Sequence, residues 1–406
     1  MDQETVLTAL DAAEPDLALA ELACGPRAIE CPDLGSGRLV LPRYREVRHA
    51  LLAPDFICAP TATGMLGALP PHLRELLAPV ASWVLYTDAP QHPRLRALLA
   101  KAFTARQVSE LSDDISRRAE YLVREFVLGG GGNAVTALAE PLPVHTISTL
   151  LGIPAADRAA IKAWSDDVVL VAEPGLTADQ ELRAALAWEH LSGYFEEVVA
   201  DRRAHLGSDI VSGLVAAEAG GEQLTDGEII SNCIALLVGG HETTSSLLSS
   251  LILAAAGQPE LRDVIHEDED VARSFVEEVI RLDGPSKITA RTAVHDTELF
   301  GITIEAGRRL VLLQASANRD PEVFDDANEF RATRRPNPHL GFGQGPHACF
   351  GAALARMQAV ALLRAFMGAL EELAVDRVGL TWKPSQVIRS AAYLPVARRP
   401  KAGGAR

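Results

Sequence analysis

From Thr225 to Ala256 the sequence runs for about thirty residues without a proline. It opens on Thr225-Asp226-Gly227-Glu228, a start in which the threonine hydroxyl and the glutamate carboxylate can each accept from the other's free backbone N–H. Its middle, Ile234-Ala235-Leu236-Leu237-Val238, is apolar on every side, and a helix with no polar face is stable only inside protein. A helix this long, buried through the protein centre, commits the chain to a large and mainly helical fold. Other periodic segments agree: 107–126, 178–206, 261–282 (one helix or two) and 352–373 read as helices. After Gly284-Pro285 the pattern shifts to short strands over 288–294, 299–304 and 309–313, separated by turns at Asp296-Thr297 and Glu305-Ala306-Gly307. The stretch 318–340 carries Pro321, Pro336 and Pro338 and reads as an irregular loop. No linker divides the sequence, so residues 1–406 read as one domain, mainly α with a small β region, ending in a disordered tail over 397–406.

The chemistry concentrates in Phe342-Gly343-Gln344-Gly345-Pro346-His347-Ala348-Cys349-Phe350-Gly351. Three glycines and a proline deny this loop regular structure while letting its backbone turn tightly. Cys349 falls just before an alanine-rich helix, where the helix dipole and free N–H groups favour a thiolate. A lone cysteine in a Gly-rich turn is usually structural; the long gapped pattern FGxGxHxCxG is what sets this one apart. The other cysteines, Cys24, Cys31, Cys58 and Cys233, have no paired spacing, which suits free thiols in a reducing compartment. Gly239-Gly240-His241-Glu242-Thr243-Thr244 interrupts the long helix with residues that each cost up to about 1 kcal/mol relative to alanine in a helix. A weakness inside a buried helix points to a groove beside it. Glu278-Val279-Ile280-Arg281 puts an acid and a base on one helix face, and His92-Pro93-Arg94-Leu95-Arg96 puts His92 and Arg96 one turn apart.

Together these motifs resemble the cytochrome P450 family, from roughly Leu41 to Val396. The resemblance implies the cytochrome P450 fold, with haem b held between the long central helix and a cysteine-ligand loop. It makes Cys349 the axial iron ligand, pushing electron density toward bound oxygen, and places Phe342, Gly343, His347 and Gly351 about the cofactor. Thr243 would hydrogen-bond the activated oxygen and Glu242 would relay protons to it; His241, at the variable position, receives no role. His92, Arg96 and Arg291 would meet the haem propionates, to which the arginine fork is suited. Glu278 and Arg281 would lock the helix against the cysteine loop. The usual third partner, an arginine, is replaced here in Ala327-Asn328-Glu329-Phe330 by an acid, and His339 is the substitute the sequence offers. The substrate walls would include Ala235, Val238, Gly239, Lys287, Ile288 and Ala392, with Lys287 either pairing with a substrate carboxylate or, preferably, reaching solvent. Residues 1–35 fit the family poorly.

The resemblance implies a monooxygenase that hydroxylates or epoxidises a small organic substrate of secondary metabolism, free or tethered to a carrier protein. No flavin or nicotinamide fingerprint occurs, so electrons would come from a ferredoxin and its reductase, with Arg94, Lys101 and Arg106 as a docking patch. Two alternatives stay open: a haem-thiolate catalyst that couples or cyclises without inserting oxygen, and a non-catalytic haem-binding protein. With 38 basic against 54 acidic residues the net charge is −16, which repels phosphate backbones and argues against nucleic acid. No run of eighteen or more uncharged apolar residues occurs and the N-terminus lacks a signal-peptide pattern, so the expectation is a cytoplasmic monomer with no membrane partner.

Overall fold

The computed structural model describes residues 2–11, 15–34, 38–172, 176–219 and 221–399. The central helix spans Asp226–Ala256, and its start is a capping box: the Thr225 hydroxyl accepts from the Glu228 N–H while the Glu228 carboxylate accepts from the Thr225 N–H. Seventeen of its residues are buried, as a helix without a polar face requires. Around it pack the helices Pro141–Leu150, Arg158–Val169, Ala178–Ala204, Glu269–Asp283 and Ala352–Ala369. The Ala352–Glu372 stretch is apolar and long enough to cross a membrane by length and composition. Here its Leu354, Leu362, Leu363, Phe366 and Met367 lie in the core.

Several boundaries differ from the sequence reading for identifiable reasons. The 107–126 helix is two, Ala105–Glu110 and Ser112–Leu128. The 261–282 region breaks where the Asp268 carboxylate caps Glu269–Asp283. The strand expected over 299–304 is a hairpin, Thr297–Leu299 with Ile302–Ile304. Phe300 and Gly301 take φ of 51° and 86°, and two successive left-handed residues reverse the chain. The tail is ordered further than expected, since Pro395–Arg398 pairs with both Leu373–Val375 and Gly131–Asn133; residues 400–406 lie outside the described residues.

The largest sheet has five strands in the order Ile29–Cys31, Arg38–Leu41, Arg309–Leu312, Thr289–Ala293 and Phe56–Ile57. Arg38–Leu41 and Arg309–Leu312 pair in parallel and the other neighbours antiparallel. Against it the atypical N-terminal segment forms two short helices, Gln3–Asp11 and Asp16–Cys24, whose Val6, Ala9, Leu10, Leu19 and Leu22 share a cluster with Val40, Val311 and Leu313.

Candidate active site

The cysteine loop turns on two left-handed glycines, Gly343 at φ 65° and Gly345 at φ 73°. A side chain on Gly345 would also meet the Leu51 carbonyl at 3.0 Å. The loop closes on itself through the Cys349 N–H, which donates to the Phe342 carbonyl at 2.8 Å. Gly351 then caps the helix Ala352–Ala369. The Cys349 thiol is exposed, yet burial raises its pKa, against the opposing pull of the Gly351 N–H and of Arg356 and Arg96. The thiol is thus open on one side and crowded by protein on the other. The same holds for one face of the central helix. In its otherwise buried middle, Ala235, Leu236, Val238, Gly239, Glu242 and Thr243 are accessible, with Gly239 fully exposed.

The two adjacent glycines have separate physical reasons. A Cβ on Gly240 would meet Ile147 Cδ1 at 3.0 Å, so Gly240 permits the close approach of the Pro141–Leu150 helix. A Cβ on Gly239 meets nothing within 4 Å. The helix itself is unbroken here. The groove therefore comes from small side chains and not from a ruptured backbone, and the Thr243 hydroxyl donates to the Gly239 carbonyl at 2.9 Å.

Cations gather beside the thiol. Arg96 donates to the Ala348 carbonyl at 2.9 Å, and the His92 and His347 rings stand 4.1 Å apart. Arg291, buried, donates to its neighbour's Ala290 carbonyl at 2.8 Å. Burial, then His92 and Arg291, pushes His347 down to about 4, and burial with Arg96 lowers His92. The one acid near these groups among the described residues, Asp88, is shared: its carboxylate accepts from the backbone N–H of Cys58 and Ala59 at 2.7–3.0 Å and lies 3.6 Å from His347 Nε2. His92 Nε2 is buried without a partner. Two guanidiniums, Arg96 and Arg291, with no ion pair among the described residues, the unpaired buried nitrogen of His92, and open space beside Gly239 and Gly351 fit a flat macrocycle carrying two carboxylates. Haem fits the residues present.

Glu278 and Arg281 are both buried, and the guanidinium binds the carboxylate bidentately at 2.7 and 2.8 Å. Arg281 also donates to the carbonyls of Asn318, Ala327 and Glu329, pinning the irregular loop that leads to the cysteine. The third partner is Arg334, not His339: its Nε lies 3.0 and 3.1 Å from the Glu278 oxygens, with Asn337 adding a contact at 3.2 Å. His339 instead meets Glu277 at 2.9 Å, and Arg356 binds the same carboxylate at 2.6 and 2.8 Å. Burial would raise Glu277, but Arg356 and His339 outweigh it and hold the carboxyl at about 2.

Three of the expected substrate-wall residues are placed as follows. Lys287 neither reaches solvent nor points to substrate; it is buried, and its ammonium donates to the carbonyls of Leu10 and Ser385. Ile288 packs on the N-terminal cluster. Ala392 is exposed on the strand Ala391–Tyr393. The supposed docking cations are also engaged: Arg94 is paired with Glu222 and Glu228, Lys101 donates to the Glu218 carbonyl, and Arg106 pairs with Glu110. Sequence reasoning also passed over Cys58, which sits with Asp88 and His347 in a trio whose ligand atoms fall within 4.8 Å; burial raises its thiol to about 11. It passed over Asn232 too, which holds Val84 N and Ser82 O against the central helix. Its signal was a fully buried amide one turn before Ala235.

A mainly helical frame with an accessible cysteine in a glycine loop, arginines beside that loop and a small-residue opening in its buried central helix has the features of the haem-thiolate class of enzymes. The family model for "Cytochrome P450" matches residues 176–371. The chain is 35% identical over 341 residues to cytochrome P450 monooxygenase PikC of Streptomyces venezuelae, covering 82% of this chain and 80% of that one. It is 33% identical over 370 residues to mycinamicin IV hydroxylase/epoxidase of Micromonospora griseorubida, covering 90% of each. Its fold superposes with a TM-score of 0.86 on P450BioI solved with a hexadec-9Z-enoic acid-ligated acyl carrier protein, at 28% identity, covering 95% of this chain and 99% of that one. The chain belongs to the cytochrome P450 family, whose cofactor is haem with a cysteine thiolate ligand, and it is a monooxygenase of that family.

Proposed function

We propose that Cys349 is the thiolate ligand of the haem, that Thr243 and Glu242 conduct protons on the opposite side, and that the enzyme hydroxylates or epoxidises a small organic substrate. The carrying observation is the accessible Cys349 thiol in a glycine loop, in a chain whose one long buried helix opens its middle at Gly239 and Thr243. When bound, the haem supplies dioxygen activation and the oxidation of a C–H or C=C bond. His92, Arg96, Arg291 and His347 hold its carboxylates. The Thr243 hydroxyl, bonded to the Gly239 carbonyl, keeps its lone pairs for a partner in the cleft. Glu242, held 3.1 Å from the Lys383 ammonium, sits one residue before it as a proton store.

Electrons come from a ferredoxin and its reductase, which dock on a face other than Arg94, since that side chain is already engaged. The substrate is a secondary metabolite, either free, as the names of PikC and the mycinamicin enzyme suggest, or tethered to a carrier protein, as P450BioI was solved. The enzyme works in the cytoplasm as a single-domain monomer. A reduced carbon monoxide spectrum tests the ligand: Cys349→Ser is expected to lose the thiolate-type Soret band, and an unchanged band overturns the assignment. Thr243→Ala is expected to keep that band and release more peroxide per electron pair; unchanged coupling removes Thr243 from the proton path.

A further inference from the structure

We propose that Asp166 and His241 form a proton-supply dyad that reloads Glu242 from solvent; this rests on reading Glu242 as the proton store. His241 is buried in the middle of the central helix, one residue before Glu242. Its Nδ1 lies 2.9 Å from the Leu237 carbonyl and its Nε2 lies 3.1 Å from Asp166 Oδ1, with the Ser165 hydroxyl at 3.3 Å. A carbonyl and a carboxylate both accept, so the ring makes both contacts in full only when it carries two N–H groups. Such a ring has a proton to give. A ring nitrogen of His241 and one oxygen each of Asp166 and Glu242 all lie within 4.8 Å of one another.

Only the Asp166 end of this line is open to solvent to any large extent, and His241 is the buried link. The Asp166 side chain is 39% exposed, His241 2% and Glu242 13%. Asp166 belongs to the Arg158–Val169 helix, so the route enters between two helices and ends beside Thr243. The other charges facing the group are Lys162, 2.6 Å from Asp166 Oδ2 and 3.8 Å from Glu140, and Lys383 on Glu242. Each ammonium is an ion-pair partner of the carboxylate it faces. Burial alone would raise Asp166, but His241 and Lys162 outweigh it and the carboxyl is held below its usual range. In the step itself the His241 Nε2–H proton passes to a Glu242 oxygen, leaving a neutral ring and a carboxylic acid. Solvent at the Asp166 carboxylate then returns a proton to Nε2, so charge and atoms balance.

The test compares holoenzymes with Asp166→Asn, His241→Gln and Glu242→Gln, supplied with NADPH through a ferredoxin and reductase. A ligand that shifts the ferric spin state is present, hexadec-9Z-enoic acid being the first probe. Peroxide released per NADPH is read between about pH 6 and 9, in water and in deuterium oxide. Amide exchange across residues 158–169 is read on the same proteins. The expected result is a rise in peroxide of about threefold or more in each variant, with a flattened pH dependence and no further rise when Glu242→Gln is combined with either change. Asp166→Asn keeps the shape of a partly exposed side chain, so the test survives if His241→Gln does not fold. If Glu242→Gln leaks peroxide while Asp166→Asn does not, the dyad is overturned and the reading of Glu242 stands. If Glu242→Gln leaves coupling unchanged, that underlying reading fails. Faster amide exchange with an unaltered pH dependence reduces the pair to a tether between helices and also overturns the proposal.

Discussion

At the scale of single residues, two neighbours in one motif answer to different constraints. Gly240 allows the Pro141–Leu150 helix to approach, and Gly239 leaves room in the cleft. Gly240→Ala is expected to lower stability by about 1–3 kcal/mol, since a methyl group must displace Ile147. Gly239→Ala is expected to hold or gain up to about 1 kcal/mol from helix propensity and to narrow the set of ligands that shift the ferric spin state. Thermal unfolding and a ligand screen on the two variants check this; equal melting losses defeat it. The motif was legible in the sequence because glycine and threonine are poor interior helix residues, but the division of labour was not, because it depends on what each Cβ direction meets. Cys349 was legible for a different reason: a ten-residue gapped pattern constrains far more than a lone thiol. Lys287 shows the limit, since the carbonyls that receive it come from residues 10 and 385.

At the scale of elements, the helix Glu269–Asp283 presents two adjacent acids to two separate networks. Glu278 receives Arg281 and Arg334, and Glu277 receives Arg356 and His339. The pair Glu278–Arg281 was legible from its spacing; Arg334 was not, because a contact between an irregular loop and a helix leaves no period to read. Arg334→Ala is expected to cost about 3–5 kcal/mol by leaving part of a buried ion network uncompensated, whereas His339→Ala, at the other acid, is expected to cost less. Denaturant unfolding ranks them, and the reverse order refutes the assignment. The Glu277 carboxyl is depressed from 4.5 to about 2 in the folded protein. Its contribution is therefore fully present above about pH 4.5 and is lost as pH falls toward 2, on the order of a few kcal/mol in all. Glu277→Gln is expected to remove that slope from the acid limb of the stability curve while leaving its dependence near neutrality unchanged. An acid limb like that of the parent protein tells against the Arg356–His339 network.

At the scale of the whole molecule, the two N-terminal helices are tied to the rest of the chain by side chains from far along the sequence. Lys287 donates to the Leu10 carbonyl in the last turn of Gln3–Asp11, a favourable site for an ammonium. The Ser316 hydroxyl and Arg319 bind Leu19 and Asp16 of the second helix. These 35 residues resisted sequence reading because their partners lie at the far end of the chain and their own motifs are short. Lys287→Met is expected to lower stability by about 1–3 kcal/mol through unpaired carbonyls and to hasten proteolytic loss of the Gln3–Asp11 helix. An unchanged cleavage pattern shows that apolar packing alone seats these helices.

The parallel pairing of Arg38–Leu41 with Arg309–Leu312 sets a timetable for biosynthesis. As the chain leaves the ribosome, the first strands wait with one edge unfilled until the segment near residue 312 emerges, and the cradle waits longer for His347 and Cys349. If Cys349 is the ligand proposed above, porphyrin is captured only after nearly all of the polypeptide exists. Slow translation late in the message should thus favour loaded enzyme, and a stall before it should leave sticky, colourless aggregates.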